Sequence, residues 1–479
     1  VYNDGKTTDS YTRSRKVEML APFSSTEDAA SNYAVWKQAG VLTFRNGPMR
    51  QNAAYGTVEV GSGQLTELWS QKIGGMKVNN GTVYGVVAPG QPLIIKWPTS
   101  LRAAMGIKEE MQEVTALKEV IVAGQDGKIH FFNLLDGTLT RDPIDLGAPS
   151  AGGLSVATNG TPVLGVGQSH SRLASKTVKS GYHLINLLNN KEIRLIQTDG
   201  KERTSNYSGV LGAALFDNVT GTMIFGSQGG LLYTAELGTQ KEVYSYENNE
   251  VKLQSGVQMY KATTKGQEKK GNIDGSVAMY GSYAYYGDEY GVLQCVDVNT
   301  MSPVWSLNLG DNIDATPALD LEYGTDLVLY TGTTINNQRK NGACVLSRIN
   351  ALTGEVVWSY TVPECKYQAD YDLGLEASPV VGQEFMDDLV IFTVACGGDG
   401  SQVIALHKDD GTLAWQTPLS SNAVSSPVAV YNEGGDSWII QAEVNGTISL
   451  LDGIDGSVLG TVKVDGEIEA PLPYTATCW

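Results

Sequence analysis

The stretch GSQVIALHKDDGTLAWQTPLSSNAVSSPVAV, Gly400 to Val430, decides the fold. Its first part alternates apolar and polar residues, the period of a half-buried strand. Asp409, Asp410 and Gly411 then supply a tight turn, and a returning strand ends on Trp415. A short polar loop leads into a further strand that opens on Ser425, Ser426 and Pro427. The unit is therefore a hairpin plus the start of the next sheet.

Variants of the unit recur. They begin at Asp126 (DGKIHFFNLLDGTL), Gly181, Gly229, Tyr290 (YGVLQCVDVNTMSPVW), Gly342, Gly400 and Asn445 (NGTISLLDGIDGSVLG). Subtracting successive start numbers gives spacings of 55, 48, 61, 52, 58 and 45 residues. A period of that size with about four strands per unit is the mark of a β-propeller. Trp69, Trp305, Trp358 and Trp415 close the fourth strands, placed to pack between neighbouring units.

Seven complete units run from about Gly75 to Asp465. The last stretch, GEIEAPLPYTATCW, resembles the first strand of a unit, and residues 40–74 supply later strands. Joining 40–74 with 466–479 in one closing blade gives an all-β, eight-bladed propeller spanning 40–479. A seven-bladed ring is the alternative, because the units around 148–260 are the least regular. Residues 1–39 lack the repeat and read as a polar extension with a short helix over Thr26–Gln38. TSLRAAMGIKEEMQEVTALKE, from Thr99, is a second helical run, inserted between strands and packed outside them.

The composition agrees. The chain has 479 residues, 55 of them glycine, about 11% against a norm near 7%, and 18% charged residues. A formal net charge of −18 argues against a nucleic-acid partner, which needs clustered Lys and Arg. No apolar run approaches the roughly 18 residues of a transmembrane helix. The opening VYNDGKTTDS has neither Met nor a signal core, as expected if an export or anchor segment has been removed upstream. Cys295, Cys344, Cys365, Cys396 and Cys478 contain no CxxC pair. Cys344 and Cys365 flank one hairpin and are open to bridging; Cys295 reads as a buried free thiol.

The unit "SPV…G…VIALHKDDGTLAW" resembles the pyrroloquinoline quinone repeat family. That repeat builds eight-bladed quinoprotein dehydrogenases and several non-catalytic propellers, including an outer-membrane assembly lipoprotein of Gram-negative bacteria. The resemblance covers roughly 40–479 and is clearest from 272 to 460. The layout, with FRNGPMRQNAAYG near the start, is similar to uncharacterised secreted propellers of Gram-positive gut bacteria. The resemblance implies a propeller without fixing its chemistry.

Catalytically competent members are expected to carry a vicinal Cys-Cys disulfide over the quinone, a Trp beneath it, and Glu, Asn and Asp ligands for Ca²⁺. This chain has no Cys-Cys dipeptide and no matching calcium set, which argues against bound pyrroloquinoline quinone. A hydrolase needs a base beside a nucleophile. His130, His183 and His407 sit in strand-like runs, and His170 lies in the loop GQSHSRLASK without a GxSxG elbow.

The acidic strand starts carry more information. Aligning NIDGSV, NIDATP, GLEASP and EIEAPL makes Asp274, Asp314, Glu376 and Glu469 equivalent; the seventh unit departs with Val424. Two readings stand. The carboxylates either accept backbone N–H bonds between blades, or they ring the channel mouth and share a cation, with Ca²⁺ the candidate. The run YGSYAYYGDEYG, Tyr280–Gly291, is open to glycan or peptide recognition, and equally to packing between blades.

The sequence thus leads to an extracytoplasmic, secreted or surface-tethered monomer without catalysis, binding or scaffolding a protein or glycan partner. The alternative is an enzyme with a channel-mouth carboxylate site, either a quinone-dependent dehydrogenase or a metal-assisted glycan-active one.

Overall fold

A computed structural model describes residues 16–19, 39–61, 63–87, 90–158, 160–217, 219–245, 250–262, 271–368, 373–397 and 400–475. Seven antiparallel sheets of four or five strands follow one another along the chain. The inner strands begin at Leu93, Leu154, Leu215, Ala318 and their counterparts Ala278, Val380 and Val428. Each blade runs inner to outer in sequence order, as in the fifth: Ala318–Glu322, Asp326–Gly332, Val345–Asn350, Val356–Thr361. The fold is the expected propeller, with seven blades rather than eight.

The repeat grammar acts mechanically. Each of the four tryptophans donates its indole N–H to a carbonyl of the following blade. Trp69 reaches Leu134 at 2.8 Å, Trp305 reaches Ala351 at 2.8 Å, Trp358 reaches Lys408 at 2.7 Å and Trp415 reaches Gly453 at 3.3 Å. The ring lies on the turn glycine of that blade: Gly137, Gly354, Gly411 or Gly456. A Cβ at these glycines would stand 2.3–2.8 Å from the indole. Each also has φ between +68° and +78°, so the turn and the inter-blade contact both demand glycine. A register shift recurs between the two outer strands, at Cys295/Val296, Arg348/Ile349, Ala405/Leu406 and Leu450/Leu451. Bulges of this kind increase local twist, which a radial array of blades requires.

The count of eight fails at the closure. The chain ends do meet there, since Ala54–Tyr55 pairs in parallel with Tyr474–Thr475. That sheet has only two strands. Trp69 and Gln71 bond to Leu134 and Gly137 of the first blade, and Gly63 lies against Leu459 of the seventh. The segment is a wedge between those blades. It carries the outer Trp and the inner-strand mimic of a unit, but no middle strands join them.

Residues 39–52 are the feature the repeat did not announce. Ala39–Val41 adds to the inner edge of the first blade, pairing with Ile94–Lys96. The following residues cross the axis and bond to every other blade. Val156 donates to the Leu42 carbonyl at 3.0 Å, Met279 to Pro48 at 2.7 Å, Leu319 to Met49 at 2.8 Å and Val381 to Gln51 at 3.2 Å. Arg50 reaches the Ala213 carbonyl at 2.8 Å, and Asn52 both donates to and accepts from Ala429. The segment is a hub.

The helical insertion is smaller than expected: two single turns, Thr99–Arg102 and Glu109–Gln112, between the first two strands of blade one. Leu101, Met105, Ile107 and Leu117 bury their side chains in the core there. The expected helix at Thr26–Gln38 lies outside the described residues.

Candidate functional site

The site is the axial channel, and the hub closes it at one level. Arg45 and Arg50 are the centre, 1% and 0% exposed. Arg45 donates to the carbonyls of Pro379 (2.5 Å), Pro427 (2.6 Å), Gln51 (3.0 Å) and Arg50 (3.4 Å). Arg50 donates to Phe44, Ala213 and Val277 carbonyls and to the Thr43 hydroxyl. Burial, with carbonyls and a hydroxyl as these acceptors, pushes both guanidinium pKa values down to about 9. Arg45, Asn46 and Arg50 adopt φ of 54°, 55° and 58°, strained for non-glycine residues. Carbonyl oxygens of four inner strands therefore converge on two buried cations.

Five residues upstream of each hub contact, the segment leading into the inner strand carries the predicted acidic position: Asp274 before Met279, Asp314 before Leu319, Glu376 before Val381. A ladder of backbone-to-hydroxyl bonds sets these three positions in register. The backbone N–H groups of Ala213, Ser276, Thr316 and Ser378 each donate to the hydroxyl two residues after the acidic position in the next blade. The acceptors are Ser276 (2.8 Å), Thr316 (2.7 Å), Ser378 (3.0 Å) and Ser426 (2.9 Å). Counting back two residues places Leu211 and Val424 in register with Asp274, Asp314 and Glu376.

All four predicted carboxylates are half-buried. Asp274 accepts from Gln228 Nε2 at 3.0 Å, and burial raises its pKa to about 6. Asp314 accepts from Asn312 Nδ2 at 2.7 Å. Among the described residues, no group of three or more His, Cys, Asp or Glu side chains is arranged to hold a metal ion. Nearby, Asp311 does the blade-joining work expected of an acid: it accepts the backbone N–H groups of Asn336, Asn337 and Gln338 at 2.8–3.0 Å.

Where the acids stop, a cleft of about 570 Å³ opens over blades one to three. Its floor includes Ala151, Gly209 and Leu211, the last being the apolar counterpart of Asp274. The walls carry Asn79, Asn80, Gln125, Ser169, His170, Arg172, Asn206, Tyr207 and Gln228. These are amides and hydroxyls with one cation and one exposed ring, and no carboxylate lines the cleft. The hairpin Gly75–Val78/Gly81–Tyr84 holds one wall through Asn79 N–H to Arg172 (3.1 Å) and Ala174 N–H to Lys77 (3.1 Å).

Behind the wall the polar groups are fixed. Ser169 Oγ bonds to Pro149 O (3.1 Å), Gln125 Oε1 (3.3 Å) and His170 Nδ1 (3.0 Å). Gln168 joins His170 O (2.8 Å) to His183 Nε2 (3.2 Å), and His183 bonds through Nδ1 to Glu192. Burial lowers the His170 pKa, keeping its ring neutral. A Ser-His contact thus exists, but between chain neighbours, with the serine also spent on a backbone carbonyl. Sequence reading missed Gln125, Gln168 and Gln228, although a signal was present: AGQDG, VGQSH and GSQGG put glutamine at the same turn of three successive blades.

Other sequence candidates resolve as packing. In the Tyr-rich run, Tyr285 and Tyr286 are buried, and Tyr285 lies 6.0 Å from the Trp305 ring. Cys344 and Cys365 are free thiols, as are Cys295 and Cys396, all buried; Cys478 lies outside the described residues.

Residues 219–433 match the family described as outer membrane protein assembly factor BamB, within the pyrroloquinoline quinone-like repeat class. BamB of Yersinia pestis is 26% identical over 188 residues, 35% of this chain and 41% of that protein. The match thus spans well under half the length of that curated relative. Quinohemoprotein alcohol dehydrogenase ADHIIG from Pseudomonas putida HK5 superposes with a TM-score of 0.58 at 11% identity, covering 95% of this chain and 76% of the other. A europium-containing methanol dehydrogenase gives 0.50 at 10% identity, covering 84% and 89%. At such identities the superpositions show the shared propeller fold.

Proposed function

We propose that the chain is a non-catalytic extracytoplasmic propeller that binds or scaffolds a partner protein through the axial-mouth cleft. One observation carries this reading: three successive blades present neutral amide and hydroxyl groups around one cleft, beside a channel closed by its own hub. Amides and hydroxyls suit the donors and acceptors of an extended peptide backbone, and exposed Tyr207 offers a flat apolar contact at low entropic cost. The repeat match to an assembly factor supports a protein partner and a location outside the cytoplasm. A glycan would use the same groups and is the competing ligand.

A quinone fits these residues poorly. Cys295, Cys344, Cys365 and Cys396 are free thiols with no two adjacent in sequence, and Thr43–Asn52 occupies the axis where inner strands converge.

The test is photo-crosslinking in cells of the native species, with a benzophenone amino acid at Tyr207 or, as control, at Leu352, an exposed turn residue on the far rim of blade five. A discrete protein adduct at 207 and none at 352 is the expected result. Equal labelling at both sites, or glycan adducts alone, overturns it.

A further inference from the structure

Three of the buried thiols share one place. Cys344 immediately precedes the third strand of blade five, Val345–Asn350, and Cys365 follows its last strand, Val356–Thr361. Cys396 follows the second strand of blade six, Leu389–Val394. Backbone bonds lock them together. Val362 N–H donates to the Cys344 carbonyl at 3.0 Å, and Cys365 N–H to Val362 at 3.3 Å. The Cys365 thiol lies 3.2 Å from the carbonyl of Ala395, the residue before Cys396. The Cys365 side chain interacts electrostatically with those of both Cys344 and Cys396. All three belong to one apolar cluster at the seam of blades five and six, 0%, 4% and 3% exposed.

We propose that this trio is a redox modification site, in which Cys365 forms a disulfide with Cys396 across the blade seam and exchanges it with Cys344. The shared sulfur is the reason. Cys365 packs in one cluster with both others and its thiol lies against the residue before Cys396, so either bond requires that neighbouring sulfurs close to about 2.05 Å. Hydrogen bonds from the two neighbours lower the Cys365 pKa, which favours it as the thiolate that reacts first.

The oxidant is a peroxide, small enough to reach a site closed to larger disulfides. The Cys365 thiolate attacks one peroxide oxygen, breaking the O–O bond; its sulfenic acid forms as hydroxide leaves and takes up the proton that the Cys365 thiol released, giving water. The Cys396 thiol then attacks that sulfur, the S–S bond forms, and a second water leaves. One peroxide is reduced to two waters as two thiols are oxidised. Attack of Cys344 on the Cys365 sulfur moves the bond within blade five and frees Cys396. The first bond adds a side-chain cross-link between two blades that are consecutive along the chain; the second lies within blade five.

The test uses the full, folded chain. It is reduced, treated with hydrogen peroxide, unfolded, alkylated with a maleimide and mapped by mass spectrometry. Of five cysteines, three are expected to alkylate, with the disulfide linking Cys365 to Cys396 or Cys344. C344S should retain the Cys365–Cys396 bond, and C396S the Cys344–Cys365 bond. C365S should form none, and wild-type mapping alone stands if that variant does not fold. Sulfinic acid without a disulfide, a bond involving Cys295 or Cys478, a Cys344–Cys396 bond in C365S, or five unreacted thiols would each overturn the proposal.

Discussion

Replacing Arg45 by Met tests whether a buried cation holds the ring together. The substitution keeps the length of the side chain and removes every donor. It removes the bonds accepted by four carbonyls; Gln51 keeps the one from Val381 N–H, while Arg50, Pro379 and Pro427 lose theirs. Each buried acceptor so abandoned costs about 2 kcal/mol, or about 6 kcal/mol for the three. Against this stands the desolvation of the guanidinium. Its pKa falls from 12.5 to about 9, which corresponds to about 5 kcal/mol returned when the charge is deleted. The carbonyls win by about 1 kcal/mol. R45M should therefore lower the urea midpoint followed by tryptophan fluorescence, and should speed amide exchange at Val381 and Ala429, whose N–H groups bond to the hub. Unchanged or greater stability would show that the hub is held by packing alone. The pH dependence has a definite sign. The depressed folded-state pKa means that the native form releases this proton first, so Arg45 adds stability as pH rises above about 9, and R45M lacks that gain.

Three further outcomes follow from particular residues. G411A combines a left-handed backbone at φ +72° with a Cβ 2.6 Å from Trp358, and should cost about 2–5 kcal/mol; G147A has φ +68° and open space, and should cost only about 1 kcal/mol. Equal thermal shifts for the two would remove the inter-blade role given to the turn glycine. Asp274, with its folded pKa raised to about 6, contributes stability below pH 4 that is lost as pH rises through 6, so D274N should melt higher than wild type at pH 8 and equally at pH 4. A lower melting point for D274N at pH 8 would mark the carboxylate as a structural anion. Millimolar Ca²⁺ should leave the melting temperature unchanged, because no three ligating side chains converge among the described residues; a rise that disappears in D274N/D314N would reinstate a shared cation.

The blades were legible because their grammar is local. Strand alternation, turn glycines and closing tryptophans each act within about 60 residues, and each leaves a periodic trace. Trp69, Trp305, Trp358 and Trp415 take the packing role their spacing implied. The hub was illegible for the opposite reason. FRNGPMRQN occurs once, and its meaning lies in carbonyls hundreds of residues away, such as Pro427. The count of eight gave way to the seven-bladed alternative on the same ground, since Trp69 and EIEAPL carry the signals of a unit while no middle strands join them among the described residues. The hydroxyl ladder sets Asp274, Asp314 and Glu376 in register and does not include Glu469. The absence of such acids from blades two and three was the better clue, because the cleft opens where Leu211 replaces an acid. The free state of Cys344 and Cys365 was beyond sequence, which shows proximity along a hairpin and not the third thiol brought by the next blade.

The central claim is that the cleft over blades one to three is the binding surface. Its most direct measurement is calorimetry of the full chain with the partner segment captured at Tyr207, comparing wild type with N80A/Y207A. Both residues are exposed cleft-wall side chains outside the core. N80A/Y207A should lose at least tenfold in affinity, about 1.4 kcal/mol, with the melting temperature unchanged. Equal affinity for the two proteins would contradict it.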